Sequence, residues 1–350
     1  MTTTGSDGKQ IDFAAVSRLF ADIDLNAEGK STGFLRVPHS VHRSAYGFIP
    51  IPIVRIRNGD GPNVVLVGGN HGDEWEGQIA TGKLIRELEP KHVRGRLVVL
   101  PSANFPAVMA STRTSPIDEG NLNRSFPGDE NGTVTQQIAY WIEHVLLPGF
   151  DFGLDLHSGG SSLQYLPSAL TIRHPDTSRM EVLLGLIKAF GAPVSYIAEA
   201  PQGGGRTLNS ASKRQGVAMI GTELGGGGLV TPHSMSVAEN GIRRVLAHVG
   251  LLKGLPVPDA SPTRITELGG EDYYVYASNS GVFEPLVDIG AEVEAGTLAA
   301  RVHFPHTPWQ KPDELRFARS GLVLCKRMPA RCERGDCLFH LVTDVAASAE

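Results

Sequence analysis

Residues 63–77 read NVVLVGGNHGDEWEG, and this stretch decides the fold. Asn63 to Gly68 is an apolar strand-like run, closed by two glycines. Past it, Ala80, Leu84 and Leu88 keep a helical spacing. A buried strand that turns through glycine into an amphipathic helix is one unit of an α/β layer fold. Working outward, strand-like runs recur at Arg96 to Pro101, Phe152 to His157, Pro193 to Ala198 and Val217 to Leu224. Helical stripes alternate with them: one through Val134, Ile138, Trp141, Ile142 and Val145, another through Met180, Leu183, Leu184, Ile187 and Phe190, and a third through Ala238, Ile242, Val245, Leu246 and Val249. The alternation predicts a mixed, mostly buried central sheet flanked by helices. Gly33 to Arg57 reads as two strands around a Gly/Pro turn, an antiparallel hairpin at the edge of that sheet.

The texture changes after LLKGLPVPDASPTR (residues 251–264), a Pro-rich stretch of the kind that joins domains. The expected division is an α/β catalytic domain over residues 1–255 and a C-terminal all-β barrel or sandwich domain over 262–350. Beyond the joint no helical stripe occurs, and SGVFEPLVDIGAEVEAGTL (280–298) is weakly similar to SGLVLCKRMPARCERGDCL (320–338). Two matching β units predict a small pseudo-symmetric barrel or sandwich. Their spacing is like that of a lipoyl or biotinyl carrier. However, HFPHTPWQKPDE (303–314) is crowded with prolines and lacks an E-x-M-K tip, so the expected role is structural or cavity-closing.

A chain of 350 residues can bury about three quarters of its unfolded surface, enough for a core without staples. The net charge of −5 provides no drive toward phosphate backbones, so nucleic acid is not an expected partner. No run approaches ~18 apolar residues, which excludes a helical membrane span. The first residues, MTTTGSDGKQIDF, lack the zones of a secretory signal, so cytoplasmic residence is the expectation. The three cysteines, Cys325, Cys332 and Cys337, form no CxxC pair and argue against a disulfide framework or a structural zinc site.

The chemistry is expected at the strand ends, where α/β sheets bind ligands. His71 and Glu74 lie three apart directly after the first strand, and His157 ends another in GLDLHSGG. His, Glu and His form the ligand set of mononuclear zinc hydrolases, which keep a fourth position open for water. Strand alternation puts Asp155 on the face of His157, where a carboxylate can orient a metal-binding imidazole. Glu223 ends the last strand of the sheet in MIGTELGGGG and is the candidate general base. Arg113 and Arg124 lie in the long irregular segment ASTRTSPIDEGNLNRSFPG (110–128), where a guanidinium can clamp a carboxylate or stabilise an oxyanion. GQIATGKL (77–84) nearly matches a phosphate loop, but Leu84 stands where the metal-binding hydroxyl belongs and the residues continue a helix.

With these residues assembled, the sequence resembles the succinylglutamate desuccinylase/aspartoacylase family, a branch of the zinc carboxypeptidase-like fold. G-x-H-G-x-E stands at Gly69 to Glu74, N-L-N-R-x-F-P-G at Asn121 to Gly128, D-L-H at Asp155 to His157 and E-x-G at Glu223 to Gly225. The resemblance covers about residues 33 to 340. It implies one Zn²⁺ per chain held by His71, Glu74 and His157, with Glu223 as general base and later proton donor. It further implies that Arg113 polarises the scissile carbonyl, and that Asn123 and Arg124 hold the α-carboxylate of a small N-acyl amino acid. The wording HGDEWEG and DLHSGG is similar to that of family members that deacetylate N-α-acetyl-L-2,4-diaminobutyrate in ectoine breakdown. Such a side chain calls for an anionic partner, for which Glu119 and Glu199 are the candidates. The alternatives are a deacylase of the N-acetylaspartate or N-succinylglutamate type, or a carboxypeptidase. No membrane partner is expected, and the expected assembly is a homo-oligomer.

Overall fold

The computed structural model describes residues 17–199 and 203–345. The N-terminal residues read above for a secretory signal lie outside it. Strands β1 (Phe20–Ala21), β2 (Gly29–Pro38), β3 (Phe48–Asn58) and β4 (Asn63–Gly68) lead into α1 (Trp75–Glu87), β5 (Gly95–Leu100), α2 (Phe105–Ala110) and α3 (Val134–Tyr140). Then come β6 (Phe152–His157), β7 (Leu163–Tyr165), β8 (Ser168–Ile172), α4 (Thr177–Phe190), β9 (Val194–Ala198), α5 (Leu208–Arg214), β10 (Ala218–Glu223) and α6 (Pro232–His248). The remainder is β11 (Arg264–Leu268), β12 (Tyr274–Tyr276), β13 (Gly281–Pro285), β14 (Glu292–Val293), β15 (Leu298–His303), β16 (Asp313–Arg316), β17 (Gly321–Arg327), β18 (Arg331–Cys332) and β19 (Cys337–Asp344).

The central sheet runs β1-β2-β3-β5-β4-β6-β10-β8-β9. Its middle is parallel, β5 with β4, β4 with β6 and β6 with β10, while the β2–β3 hairpin lies antiparallel toward the edge, as its sequence predicts. One face of the sheet packs Val64, Leu66, Leu154 and Ile220 against α1, α4 and α6. The other packs Val65, Val67 and Val98 against α3, α5 and the segment Trp141–Leu146. Burial on both faces is why these strands read as continuous apolar runs. The quasi-phosphate-loop residues 77–84 are internal to α1 and serve packing. A Cβ on Gly77 would stand 2.6 Å from Leu156 Cβ, so only glycine lets α1 settle against β6 at this height. That contact sets the N-terminus of α1 beside the end of β6.

One helical stripe continues differently from the sequence expectation. After Tyr140 the backbone widens into a π-helical segment, Trp141–Leu146, which keeps Trp141, Ile142 and Val145 in the core and also buries Glu143. Arg214 on α5 meets that carboxylate with two bonds of 2.7 Å. Removing one partner of such a pair strands the other charge away from water. Arg214→Ala is expected to cost about 3 kcal/mol, the low end for buried pairs because the guanidinium is half open to solvent. Denaturant unfolding measures it, and a loss below 1 kcal/mol, the scale of an exposed pair, would contradict the reading.

The sheet does not stop at β9. β11 pairs parallel with β9 and antiparallel with β19, and the order continues through β17 to β14, making 15 strands in all with β7 and β12 attached. A second, four-stranded sheet, β16-β15-β13-β18, faces this extension. Between them lies a separate core in which Phe283 and Phe317 set their rings edge-on to Phe339 at 5.6 and 5.5 Å. The internal similarity has a structural counterpart. β13 pairs with β15 of its own unit and with β18 of the other, while β17 pairs with β19 of its own unit and with β14 of the other. No helix among the described residues is long and apolar enough to cross a membrane.

Candidate metal centre and active site

The turn after β4 is fixed by close backbone approaches. Gly69 has φ +66°, and a Cβ on Gly72 would stand 2.0 Å from the Ala107 carbonyl oxygen, so both positions require glycine. The Gly72 N–H donates to the Thr112 oxygen at 2.8 Å, and Asp73 accepts from both Ser161 N–H and Ser161 Oγ at 2.8 Å. These bonds tie the β4 turn to the loop that follows β6.

His71, Glu74 and His157 meet there, all buried, with one donor atom from each within 4.8 Å of the others. Glu74, at the N-cap of α1, places Oε1 2.6 Å from His71 Nδ1 and Oε2 2.7 Å from His157 Nδ1. The outer nitrogens have their own acceptors. His71 Nε2 lies 3.1 Å from Asn121 Oδ1, and His157 Nε2 lies 3.0 Å from Asp155 Oδ2. Asp155 is held in turn by Asn70 at 2.7 Å and Asn209 at 3.4 Å. With each Nε2–H directed outward, both Nδ1 lone pairs and a carboxylate are left to face one point. This donor set suits a divalent ion such as zinc, and the outer partners fix the tautomer that binds it.

Without a cation the three groups share protons. Burial alone would raise Glu74, but His71 and His157, by charge and hydrogen bond, outweigh it and hold the carboxyl far below its usual range. Burial lowers His157 as well, yet Asp155 and Glu74 override it and leave this imidazole well above its ordinary value. His71 moves down, because burial exceeds the pull of Glu74.

Glu223 pairs in register with His157 across β10 and β6, and Asp155 with Gly221, so alternation sets Glu223, His157 and Asp155 on one face. Its Oε2 is buried with no hydrogen-bond partner among the described residues. Burial first, and the Glu74 charge next, raise the carboxyl well above the usual range.

The loop 110–128 has order that its composition hides. Asp118 accepts from Thr135 N–H at 2.7 Å and Thr135 Oγ1 at 2.8 Å, and Leu122 and Phe126 anchor the loop in the core. Between the anchors a single turn, Leu122–Arg124, directs Asn121 to His71 and sets Asn123 against His157, with Nδ2 3.1 Å from the Nε2 whose proton goes to Asp155, so that these two donors only touch. Asn123 Oδ1 also accepts the Leu208 N–H at 2.8 Å, which orients the amide. Arg113 brings Nη1 to 3.5 Å from Glu74 Oε1. Arg124 is half-buried and lowered by burial, then by the charges of Arg113 and Arg206, an excess of positive charge suited to an anion.

All of these open on one cavity of about 460 Å³, lined by His71, Glu74, Arg113, Asn123, Arg124, His157 and Glu223. The structure brings these seven expected residues together, with Asp155 directly behind His157. It does not bring in the other two. Glu199 is exposed and ion-paired with Arg173, whose Nε lies 2.7 Å away, and Glu119 is exposed on its loop at φ 54°. Neither lines the cavity. Asn70 and Asn121 escaped the sequence reading although both stand inside the quoted motifs. Asn209 and the aromatic residues of the far wall carried no signal at all.

A model of the succinylglutamate desuccinylase/aspartoacylase catalytic domain matches residues 60–249. The N-alpha-acetyl-L-2,4-diaminobutyric acid deacetylase of Halomonas elongata is 41% identical over 326 residues, which is 91% of this chain and 93% of the relative. A crystal structure of a succinylglutamate desuccinylase/aspartoacylase from Rhodobacter sphaeroides superposes with a TM-score of 0.89 at 38% identity, covering 95% of this chain and 100% of that one. A product-bound structure of the ectoine utilization protein EutE (DoeB) from Ruegeria pomeroyi gives a TM-score of 0.89 at 39% identity, covering 93% and 98%.

Proposed function

The chain belongs to the succinylglutamate desuccinylase/aspartoacylase family, and we propose that it is a zinc-dependent deacylase of small N-α-acyl amino acids. Its foremost substrate is N-α-acetyl-L-2,4-diaminobutyrate, released as acetate and L-2,4-diaminobutyrate. The observation that carries this reading is the convergence of two outward-satisfied imidazoles and a carboxylate beside the unpartnered Glu223 oxygen.

His71, Glu74 and His157 would hold a divalent ion, whose chemistry there would be to polarise the acyl carbonyl and to lower the pKa of water to about 7. The chain's own groups do the rest. Arg124 and Asn123 hold the α-carboxylate and so fix the amide relative to Glu223. Glu223 takes a proton from the attacking water and returns it to the departing α-nitrogen. Arg113, half exposed and with Nη1 3.5 Å from Glu74 Oε1, donates to the carbonyl oxygen as negative charge develops. Asp155 keeps His157 in its binding tautomer throughout.

The C-terminal β unit closes one side of the cavity with Tyr274, Tyr276 and His340, which favours a small substrate over a protein tail. A panel of N-acyl amino acids set beside short peptides tests the assignment by acid release. Acetate from N-acetyl-diaminobutyrate, with peptides left intact, is the expected result. Cleavage of C-terminal residues from peptides without deacetylation would replace it by the carboxypeptidase reading.

A further inference from the structure

The cavity extends past Glu223 to a wall of a different character, built by Tyr165, Tyr196, Tyr274, Tyr276 and His340. Its floor is one continuous row of the sheet. Gly221 on β10 faces Leu170 on β8, and Leu170 faces Tyr196 on β9, all in register. The other side comes from the C-terminal unit, where Tyr274 on β12 stands opposite His340 on β19. His340 is the hub. Its ring centroid lies 5.2 Å from that of Tyr165, 5.5 Å from Tyr274 and 6.5 Å from Tyr196, and Tyr274 stacks on Tyr276 at 5.8 Å. The imidazole is 3% exposed, and its Nδ1 has no hydrogen-bond partner among the described residues. The imidazole therefore meets the cavity as one more ring among the tyrosines.

Three facts define what that ligand part is. The wall adjoins Glu223, the group that returns a proton to the departing amine: both line the same cavity, and Gly221, on the face of Glu223, is in register through Leu170 with Tyr196. Among the described residues, no carboxylate other than Glu74 and Glu223 lines the cavity, and its guanidinium groups belong to Arg113 and Arg124. Burial pushes the His340 imidazole down to about 4, so at pH 7 it is an uncharged ring that does not repel a cation. Aromatic faces are negative, so an anionic side chain is opposed here and a cationic one is attracted.

We infer that this wall is the side-chain subsite of the amide substrate and that it takes a short ammonium-bearing side chain through ring faces and the neutral His340, with no dedicated carboxylate. The inference rests on the deacylase reading and extends it to substrate selection. It also makes the C-terminal unit a determinant of specificity, because β12 and β19 carry three of the five rings.

The test compares kcat/KM of the metal-loaded full chain on N-acetyl-2,4-diaminobutyrate and on N-acetyl-2-aminopentanoate, which carries a methyl in place of the ammonium. Desolvated cation–ring contacts are worth about 2 kcal/mol or more, so the parent is expected to prefer the cationic amide by about tenfold or more. His340→Leu, which removes the ring, and Tyr276→Leu, at a half-exposed position that tolerates change, are each expected to reduce that preference severalfold. The loss is expected in KM for the cationic amide, with kcat on the methyl analogue retained. Parental preference in both variants overturns the inference while leaving the deacylase reading intact. If the parent cleaves neither amide, the deacylase reading fails, and calorimetric titration with free 2,4-diaminobutyrate and 2-aminopentanoate decides the wall. Equal affinity for the two overturns it, and tighter binding of the diamino acid that is lost in both variants sustains it.

Discussion

Replacing Glu223 by Gln is expected to lower kcat by about 10²- to 10⁴-fold, the range that a positioned proton donor and acceptor contributes. The substitution keeps size and shape and removes only the capacity to carry a proton. β10 delivers the carboxylate in register with His157, and its Oε2 has no other employment among the described residues. Burial and the Glu74 charge raise its proton affinity well above that of an ordinary glutamate, which suits a group that must both accept and return a proton near neutral pH. Steady-state kinetics on the N-acetyl amino acid, with elemental analysis of the same sample, checks the expectation. KM and metal content should stay near parental values, since Glu223 is not among the three converging donors. A variant that retained more than a tenth of parental kcat would remove Glu223 from the reaction.

Chelation is expected to have an effect of similar size, bringing turnover to background, with recovery on adding one equivalent of Zn²⁺ per chain. The chain should nonetheless remain folded without its ion. Glu74 then stands within hydrogen-bond distance of both neighbouring imidazoles, at 2.6 and 2.7 Å, so its buried carboxylate keeps partners. Unfolding should therefore stay cooperative, with the loaded form more stable by mass action, about 2.7 kcal/mol when free metal stands 100-fold above its Kd. Thermal melts and activity on the same chelated and reloaded samples separate the two effects. Full turnover in protein carrying far less than one ion per chain would refute the metal-centred reaction.

The sequence made the sheet and the ligand trio legible because both depend on local pattern. β4, β6 and β10 are apolar runs leading into glycine-rich turns, and the chemistry sits at or just past their ends. The glycines at 69, 72 and 77 announced tight turns and close packing, and each has a backbone or side chain in the space a Cβ would need. What was not legible depends on contacts between residues far apart in the chain. Asn209 reaches Asp155 from α5, and His340 reaches Tyr165 from a region some 175 residues further on, and neither distance leaves a trace in periodicity. The expectation that Glu119 or Glu199 answers a cationic side chain came from charge alone. Glu199 already has Arg173, and Glu119 lies on the loop's outer surface. The π-helical widening at Trp141–Leu146 likewise preserves an ordinary helical stripe, so spacing by itself did not reveal it.

The unbroken pairing of β9 with β11 bears on any attempt to work with the first 255 residues alone. Cutting there would strip the cover from Val194–Ala198, a strand buried at every position, and leave its backbone donors and acceptors as a sticky template. Such a fragment should aggregate during expression, and soluble preparations will need either the tail itself or charged substitutions that blunt the newly bared strand.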